Sequence, residues 1–233
     1  MTTNPPVLGL VAGDGAYPEY IVRGARRHTP HLRIVAVGFK GETNPAVIPL
    51  CDEYREFSVG QISKPFSFLK KHGVTEVITE AEKEGFNILP ASTYMEEHMP
   101  QPGHIAGPRP TPEQWEDAVF GMQTAKEISR LHIGQSVIVH QGTVVAVEAI
   151  EGTNNCIRRG GQLAGGKPAT LAKVARQGHD MRFDIPTVGP ATMETCAECG
   201  IRQVALEAGK TILLERERVT ELCKKHKISL HAI

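Results

Sequence analysis

Residues 7–38 read VLGLVAGDGAYPEYIVRGARRHTPHLRIVAVG. The apolar run Val7–Val11 has the length of a strand and ends in the glycine-containing loop Ala12-Gly13-Asp14-Gly15. Tyr20, Ile21 and Ala25 then recur at helical spacing over 17–28, with Pro18 near the start, where a missing N–H costs nothing. Leu32 to Gly38 is a second apolar run, as a strand covered on both faces requires. Strand, glycine loop, helix and buried strand in that order predict a parallel sheet.

The pattern continues outward from this unit. Cys51–Phe57 reads as a short third strand, 62–72 as a helix stopped by Gly73, and Val74–Ile78 as a fourth strand. Residues 79–85 are charged and helical in character, Ile88–Leu89 is a short apolar pair, and 93–98 is helix-like. Pro100, Pro102, Gly103, Gly107, Pro108, Pro110 and Pro112 then crowd together, which excludes a regular helix or a central strand. Residues 100–112 are therefore expected to link a first domain, 1–99, to a second, 113–233. In the second, Thr111 caps a helix over 112–130 whose early turns hold Glu113, Glu116 and Asp117. Ser136–His140 and Thr143–Ala149 form a hairpin around Gln141-Gly142. A strand at 169–175, a helix at 192–198, a second hairpin (203–207 with 211–214), a helix at 216–226 and a last strand at 229–233 follow.

Composition narrows the function classes. Lys+Arg and Asp+Glu both number 26, so no net charge draws the chain to nucleic acid or an anionic membrane. The first six residues are polar and the chain lacks an apolar stretch of membrane-spanning length, so a cytoplasmic protein is expected. Its five cysteines are then expected as reduced thiols. Cys196-x-x-Cys199 has no second ligand pair in view and reads as helix packing.

Three segments carry polar residues that a fold would not need. Gly9-x-x-x-Gly13-x-Gly15 suits close approach of backbone N–H groups to a phosphate, or is an ordinary tight turn. Glu148 interrupts an apolar strand and Glu151 starts the next turn; they belong to a site, or to a solvent-facing position. Arg158 or Arg159, on the helix that follows, could hold a phosphate by paired contacts. The densest segment holds Lys173, Arg176, His179, Asp180, Arg182 and Asp184, followed by Pro186, Gly189 and Thr192. In an extended chain Asp180, Arg182 and Asp184 share one face and Met181, Phe183 and Ile185 the other. That pattern suits Mg²⁺ or Mn²⁺ with a substrate phosphate, or a surface ion-pair ladder.

EISRLHIGQ at 127–135, VVAVEAIEGTNNCIRR at 144–159 and KVARQGHDMRFDIPTVGP at 173–190 resemble the signatures of LpxI-type UDP-2,3-diacylglucosamine pyrophosphatases. LGLVAGDGAYP and GFNILPASTYM match the same family, so the resemblance covers nearly the whole chain. It implies an α/β protein with a Rossmann-like N-terminal domain and a C-terminal mixed α/β domain, tending to dimerise. The implied reaction is metal-dependent hydrolysis of UDP-2,3-diacylglucosamine to UMP and lipid X in lipid A biosynthesis, with transient contact at the inner membrane face. Carried over by motif, Asp184, Asp180 and Glu151 are the catalytic carboxylates, and Asp184, Asp180 and Glu148 the ligands of Mg²⁺ or Mn²⁺. Gly13, Asp14 and Gly15 would border the nucleotide, and Thr153, Arg158, Lys173, Arg182 and Thr187 would bind substrate. The chain departs from the family pattern at Asn154 and His179, and lacks some tens of residues that relatives carry after Ile78-Thr79. The alternative expectation is a nucleotide-sugar binding relative without turnover.

Overall fold

The computed structural model describes residues 6–61, 63–78, 86–90, 92–176 and 185–233. They fall into two compact units, one running to Glu96 and the other starting at Glu97.

The first unit is built on the predicted βαβ start. β1 (Val7–Ala12), α1 (Tyr17–His28), β2 (Arg33–Phe39), β3 (Glu53–Phe57), α2 (Ser63–Lys71), β4 (Glu76–Ile78) and β5 (Asn87–Ile88) form it in chain order. The sheet runs β3-β2-β1-β4-β5 with every pairing parallel. In such sheets ligands bind beyond the C-terminal ends of the strands, where the order reverses. Here that point lies between β1 and β4. Ile34, Val35, Ala36 and Val37 are all fully buried, as a strand covered on both faces demands. Val35, Val37, Phe57, Leu69, Val74 and Val77 make one core. Gly9 serves this packing rather than phosphate approach: a Cβ there would lie 2.6 Å from Val74 Cγ1. The helix-like reading of 93–98 resolves into a turn and a short 3-10 helix at Glu96–His98.

The second unit contains β6 (Gly103–Ala106), α3 (Pro112–Arg130), β7 (Ser136–His140), β8 (Thr143–Val147), α4 (Thr153–Leu163), β9 (Ala169–Lys173), β10 (Thr187–Val188), α5 (Pro190–Glu198), β11 (Ile201–Leu206), β12 (Ile212–Leu213), α6 (Arg216–His226) and β13 (Ser229–Ala232). Its large sheet is mixed, in the order β6-β13-β11-β9-β7-β8, with β13, β11 and β9 parallel. α3 covers one face through Ala118, Met122 and Ala125 against Val137, Val139, Ala172 and Ala205. The other face packs Ile138, Leu171, Val204, Leu206 and Leu230 under residues of α4, α5 and α6. Thr111 and Gln114 form a reciprocal capping box at the start of α3. Asp117 of α3 accepts from the backbone N–H groups of Gln141 and Gly142, so the predicted hairpin turn is tied to the helix.

Two expectations need correction. Residues 103–106, expected within a linker, are an edge strand antiparallel to β13; an edge tolerates flanking prolines because one row of its backbone groups is unpaired. Residues 203–207 and 211–214 do not form a hairpin. β11 pairs in parallel with β9 and β13, while β12 pairs in parallel with β10 in a separate two-stranded sheet. β12 buries both its residues and β11 all but Arg202, and cover on both faces is what parallel neighbours require. The Cys-x-x-Cys reading as packing agrees with Cys196, a fully buried residue of α5 with its thiol pKa pushed up by burial. Among the described residues no helix is long and apolar enough to cross a membrane.

His231 of β13 is 4% exposed. Ser229 Oγ donates to Pro108 O at 2.7 Å and accepts from His231 Nε2 at 2.6 Å. His104, Arg109 and Trp115 face the same ring. Burial, then the nearby His104 and Arg109, lowers its pKa from 6.5 to about 4. Between those values the unfolded chain takes up a proton that the folded protein refuses, so stability falls as pH drops through this window. The urea midpoint of His231→Gln is expected to fall less than that of the native protein between pH 7 and 4.5. Equal slopes would show that His231 does not carry the effect.

Candidate functional site

In the second unit the C-terminal end of β9 and the turn from β8 into α4 bring three buried or half-buried polar side chains together. Lys173 ends β9 and is 5% exposed; Glu148 follows β8 and is 6% exposed. Between them stands Thr153, the first residue of α4, behind Gly152, whose φ of 78° turns the chain into the helix. Lys173 Nζ donates to Thr153 Oγ1 at 2.8 Å, and that hydroxyl donates to Glu148 Oε1 at 2.8 Å. A cation, a hydroxyl and a carboxylate thus form one chain. The second carboxylate oxygen, Oε2, is buried and has no hydrogen-bond partner among the described residues. Among the described residues α4 has no side-chain cap at Gly152, and the N–H groups of a helix's first turn have no partner within the helix.

The same turn holds Glu151 differently. Its carboxylate accepts from Ala149 N at 3.0 Å and from the Arg159 guanidinium, which also donates to Val147 O at 2.7 Å. The hydrogen bond from Arg159 holds the Glu151 carboxyl below the usual range. These contacts close the turn and leave Glu151 outside the Lys173–Thr153–Glu148 chain. Arg158 is exposed on α4 and donates to Asn155 Oδ1 at 3.0 Å. Thr187 begins β10, and its hydroxyl donates to Ile185 O at 3.2 Å. Asp180, Arg182 and Asp184 lie outside the described residues.

Sequence reasoning missed the groups that fix the exit of β9. Glu207, 8% exposed, accepts from Ala175 N at 2.9 Å, and its backbone N–H donates to Lys173 O at 3.1 Å. Ser129 Oγ donates to Ala175 O at 3.3 Å. An acidic residue ending an apolar strand is the signal that could have found Glu207.

In the first unit Gly13, Asp14 and Gly15 form an exposed loop between β1 and α1, on the border of the β1–β4 reversal. Gly15 has φ 78°, and among the described residues no heavy atom beyond its chain neighbours lies within 4 Å of where a Cβ would stand on Gly13. Asn44 Nδ2 donates to Gly15 O at 2.6 Å, Asn44 N to Gly13 O at 3.1 Å, and Thr43 Oγ1 to Ala12 O at 3.0 Å. These bonds leave the outer side of the loop open.

An Mg²⁺ or Mn²⁺ ion needs oxygen ligands, and commonly one or two carboxylates with water and phosphate supply them. The unpartnered, buried Glu148 Oε2 has that chemistry. Among the described residues no cluster of three His, Cys, Asp or Glu side chains stands within reach of one ion.

The parallel β3-β2-β1-β4-β5 sheet with its glycine loop, followed by the mixed sheet with a lysine–threonine–glutamate chain at its strand ends, defines a two-unit, Rossmann-like α/β protein. Residues 7–79 match the LpxI N-terminal domain, and residues 101–231, more than half of the chain, match the LpxI C-terminal domain. The chain belongs to the LpxI family. It is 37% identical over 150 residues to the UDP-2,3-diacylglucosamine pyrophosphatase LpxI of Caulobacter vibrioides, covering 61% of this chain. The match covers 54% of that relative, so the chain spans about half the length of the curated protein it resembles. Among solved structures, the biotin carboxylase domain of Hydrogenobacter thermophilus 2-oxoglutarate carboxylase aligns with 13% identity and a TM-score of 0.29, covering 58% of this chain and 35% of that chain. That likeness is too slight to carry any argument.

Proposed function

We propose that this protein hydrolyses the pyrophosphate bond of UDP-2,3-diacylglucosamine, releasing UMP and lipid X, in lipid A biosynthesis. The observation that carries the reading is the buried Lys173–Thr153–Glu148 chain beside the uncapped start of α4. It lies within the region matching the LpxI C-terminal domain. Phosphoryl transfer depends on positioning and on neutralising negative charge at the phosphorus oxygens. The Lys173 ammonium and the N–H groups at the start of α4 supply positive potential for that purpose. Thr153 holds the ammonium and the Glu148 carboxylate in register, so neither has to reorganise as charge develops. Bound at Glu148, Mg²⁺ or Mn²⁺ would supply further charge neutralisation at the phosphate. Asp184 remains, on the strength of the resemblance, the carboxylate expected to be essential, with Asp180 as a second; Arg182 and Arg158 are further expected phosphate partners.

Incubating the purified protein with UDP-2,3-diacylglucosamine, with and without Mg²⁺ or Mn²⁺, tests this directly. Metal-dependent appearance of UMP and lipid X is expected, and Asp184→Ala should abolish it while leaving the circular dichroism spectrum unchanged. Substrate bound but not cleaved would favour the second reading, a nucleotide-sugar binding relative. That reading draws on the absence of the residues that relatives carry after Ile78-Thr79.

A further inference from the structure

Ser136 opens the central strand β7 and is fully buried, yet its hydroxyl has no hydrogen-bond partner among the described residues. A buried, unpaired polar group is destabilising, and one kept in a strand that could carry alanine calls for an explanation. Its position supplies one. Ser136 pairs in register with Lys173 on one side. On the other, its carbonyl accepts from Glu148 N at 2.9 Å, continuing the β7–β8 ladder one step beyond Val137–Val147. Directly opposed residues of neighbouring strands project to the same face, with Cβ atoms about 4.5–5.5 Å apart. Ile138, two residues along β7, packs against Gly160 of α4, which identifies the face as the one carrying Thr153. Ser136 therefore sits between the two ends of the lysine–threonine–glutamate chain. Two buried oxygens without partners, Ser136 Oγ and Glu148 Oε2, thus belong to directly opposed residues at the β7–β8 strand ends.

We propose that Ser136 Oγ and Glu148 Oε2 are neighbouring oxygen ligands of one divalent cation of the Mg²⁺ or Mn²⁺ class. The choice of a hard cation rests on the pyrophosphatase reading. A neutral hydroxyl and a carboxylate are ligands suited to such an ion, whereas two apolar walls or a second ammonium would not be. A serine or threonine hydroxyl on the metal is known from nucleotide-binding loops.

Binding of Mn²⁺ alone, followed by the loss of the free-ion paramagnetic resonance signal, decides the matter without reference to turnover. Ser136→Ala is expected to weaken Mn²⁺ at least about 10-fold, the size of effect that supporting groups of a metal site show. Ser136→Thr should restore affinity to within a few-fold, and Glu148→Gln should weaken binding at least as much as Ser136→Ala. The melting temperature of Ser136→Ala should stay level or rise, since an unpaired hydroxyl is lost; a merely structural serine would lower it. Native Mn²⁺ affinity in Ser136→Ala, or no Mn²⁺ binding by the native protein, would overturn the assignment. Weakened binding in a protein that releases no UMP would uphold the cation site and reject the hydrolase. UMP release with unaltered Mn²⁺ binding in Ser136→Ala would do the reverse.

Discussion

Lys173→Met is expected to lower kcat/KM for UDP-2,3-diacylglucosamine by about 100- to 1000-fold, the loss that follows removal of one preorganised charge-stabilising donor. Lys173 is nearly fully buried, and methionine matches its stem, so packing is largely kept. What changes is charge. Thr153 loses the ammonium donor at 2.8 Å, and the Glu148 carboxylate it serves stays buried without the cation. Thr153 is left without a buried charged donor, a loss of about 1–3 kcal/mol, so the urea midpoint should fall as well. A double variant, Lys173→Met with Glu148→Gln, separates the two effects: it should recover most of the stability and none of the activity. Turnover by Lys173→Met within a few-fold of the native rate would exclude the lysine from the chemistry.

Gly134→Ala is the second large effect, and it acts through the backbone. A Cβ at this position would stand 1.9 Å from Glu148 O and 2.7 Å from Glu148 C. No side-chain movement can relieve a clash with main-chain atoms, so the strand end carrying Glu148 must shift. A destabilisation of about 3 kcal/mol or more is expected, in the range of overpacked cores, together with loss of activity beyond what stability explains. Chemical denaturation and turnover measured at a temperature where the variant is still folded check both parts. A variant with the native urea midpoint would mean that the Glu148 strand end has room to move.

The extent to which the site could be read in advance followed the range of the interactions. Glu148 stood out because a charge in an apolar strand needs a partner, and Lys173 because it opens the densest run of charged residues; both signals are local. Thr153 was singled out only through the family resemblance; its role as the hydroxyl joining the two charges depends on β8, α4 and β9 meeting, across twenty residues between Thr153 and Lys173. Ser136 and Glu207 were passed over because a serine opening a strand or a glutamate closing one is unremarkable until its neighbours are known. Glu151 and Arg159 show the reverse case: their composition suggested chemistry, and their contacts close a turn.

The sequence by itself determined the parallel first sheet, the capped helix 112–130 with its hairpin around Gln141-Gly142, the packing role of Cys196 and the family. The sheet, helix and hairpin rest on periodicity, capping or turn residues close in the chain, where a few neighbours set the backbone, and the family rests on the resemblance of long motifs. Tertiary structure alone decided that 103–106 is an edge strand, that 203–207 and 211–214 lie in different sheets, and which polar atoms are left without partners. Strand pairing is a contest among distant segments for the same hydrogen-bonding edge. Its outcome depends on how the whole sheet is covered, which no window of sequence contains.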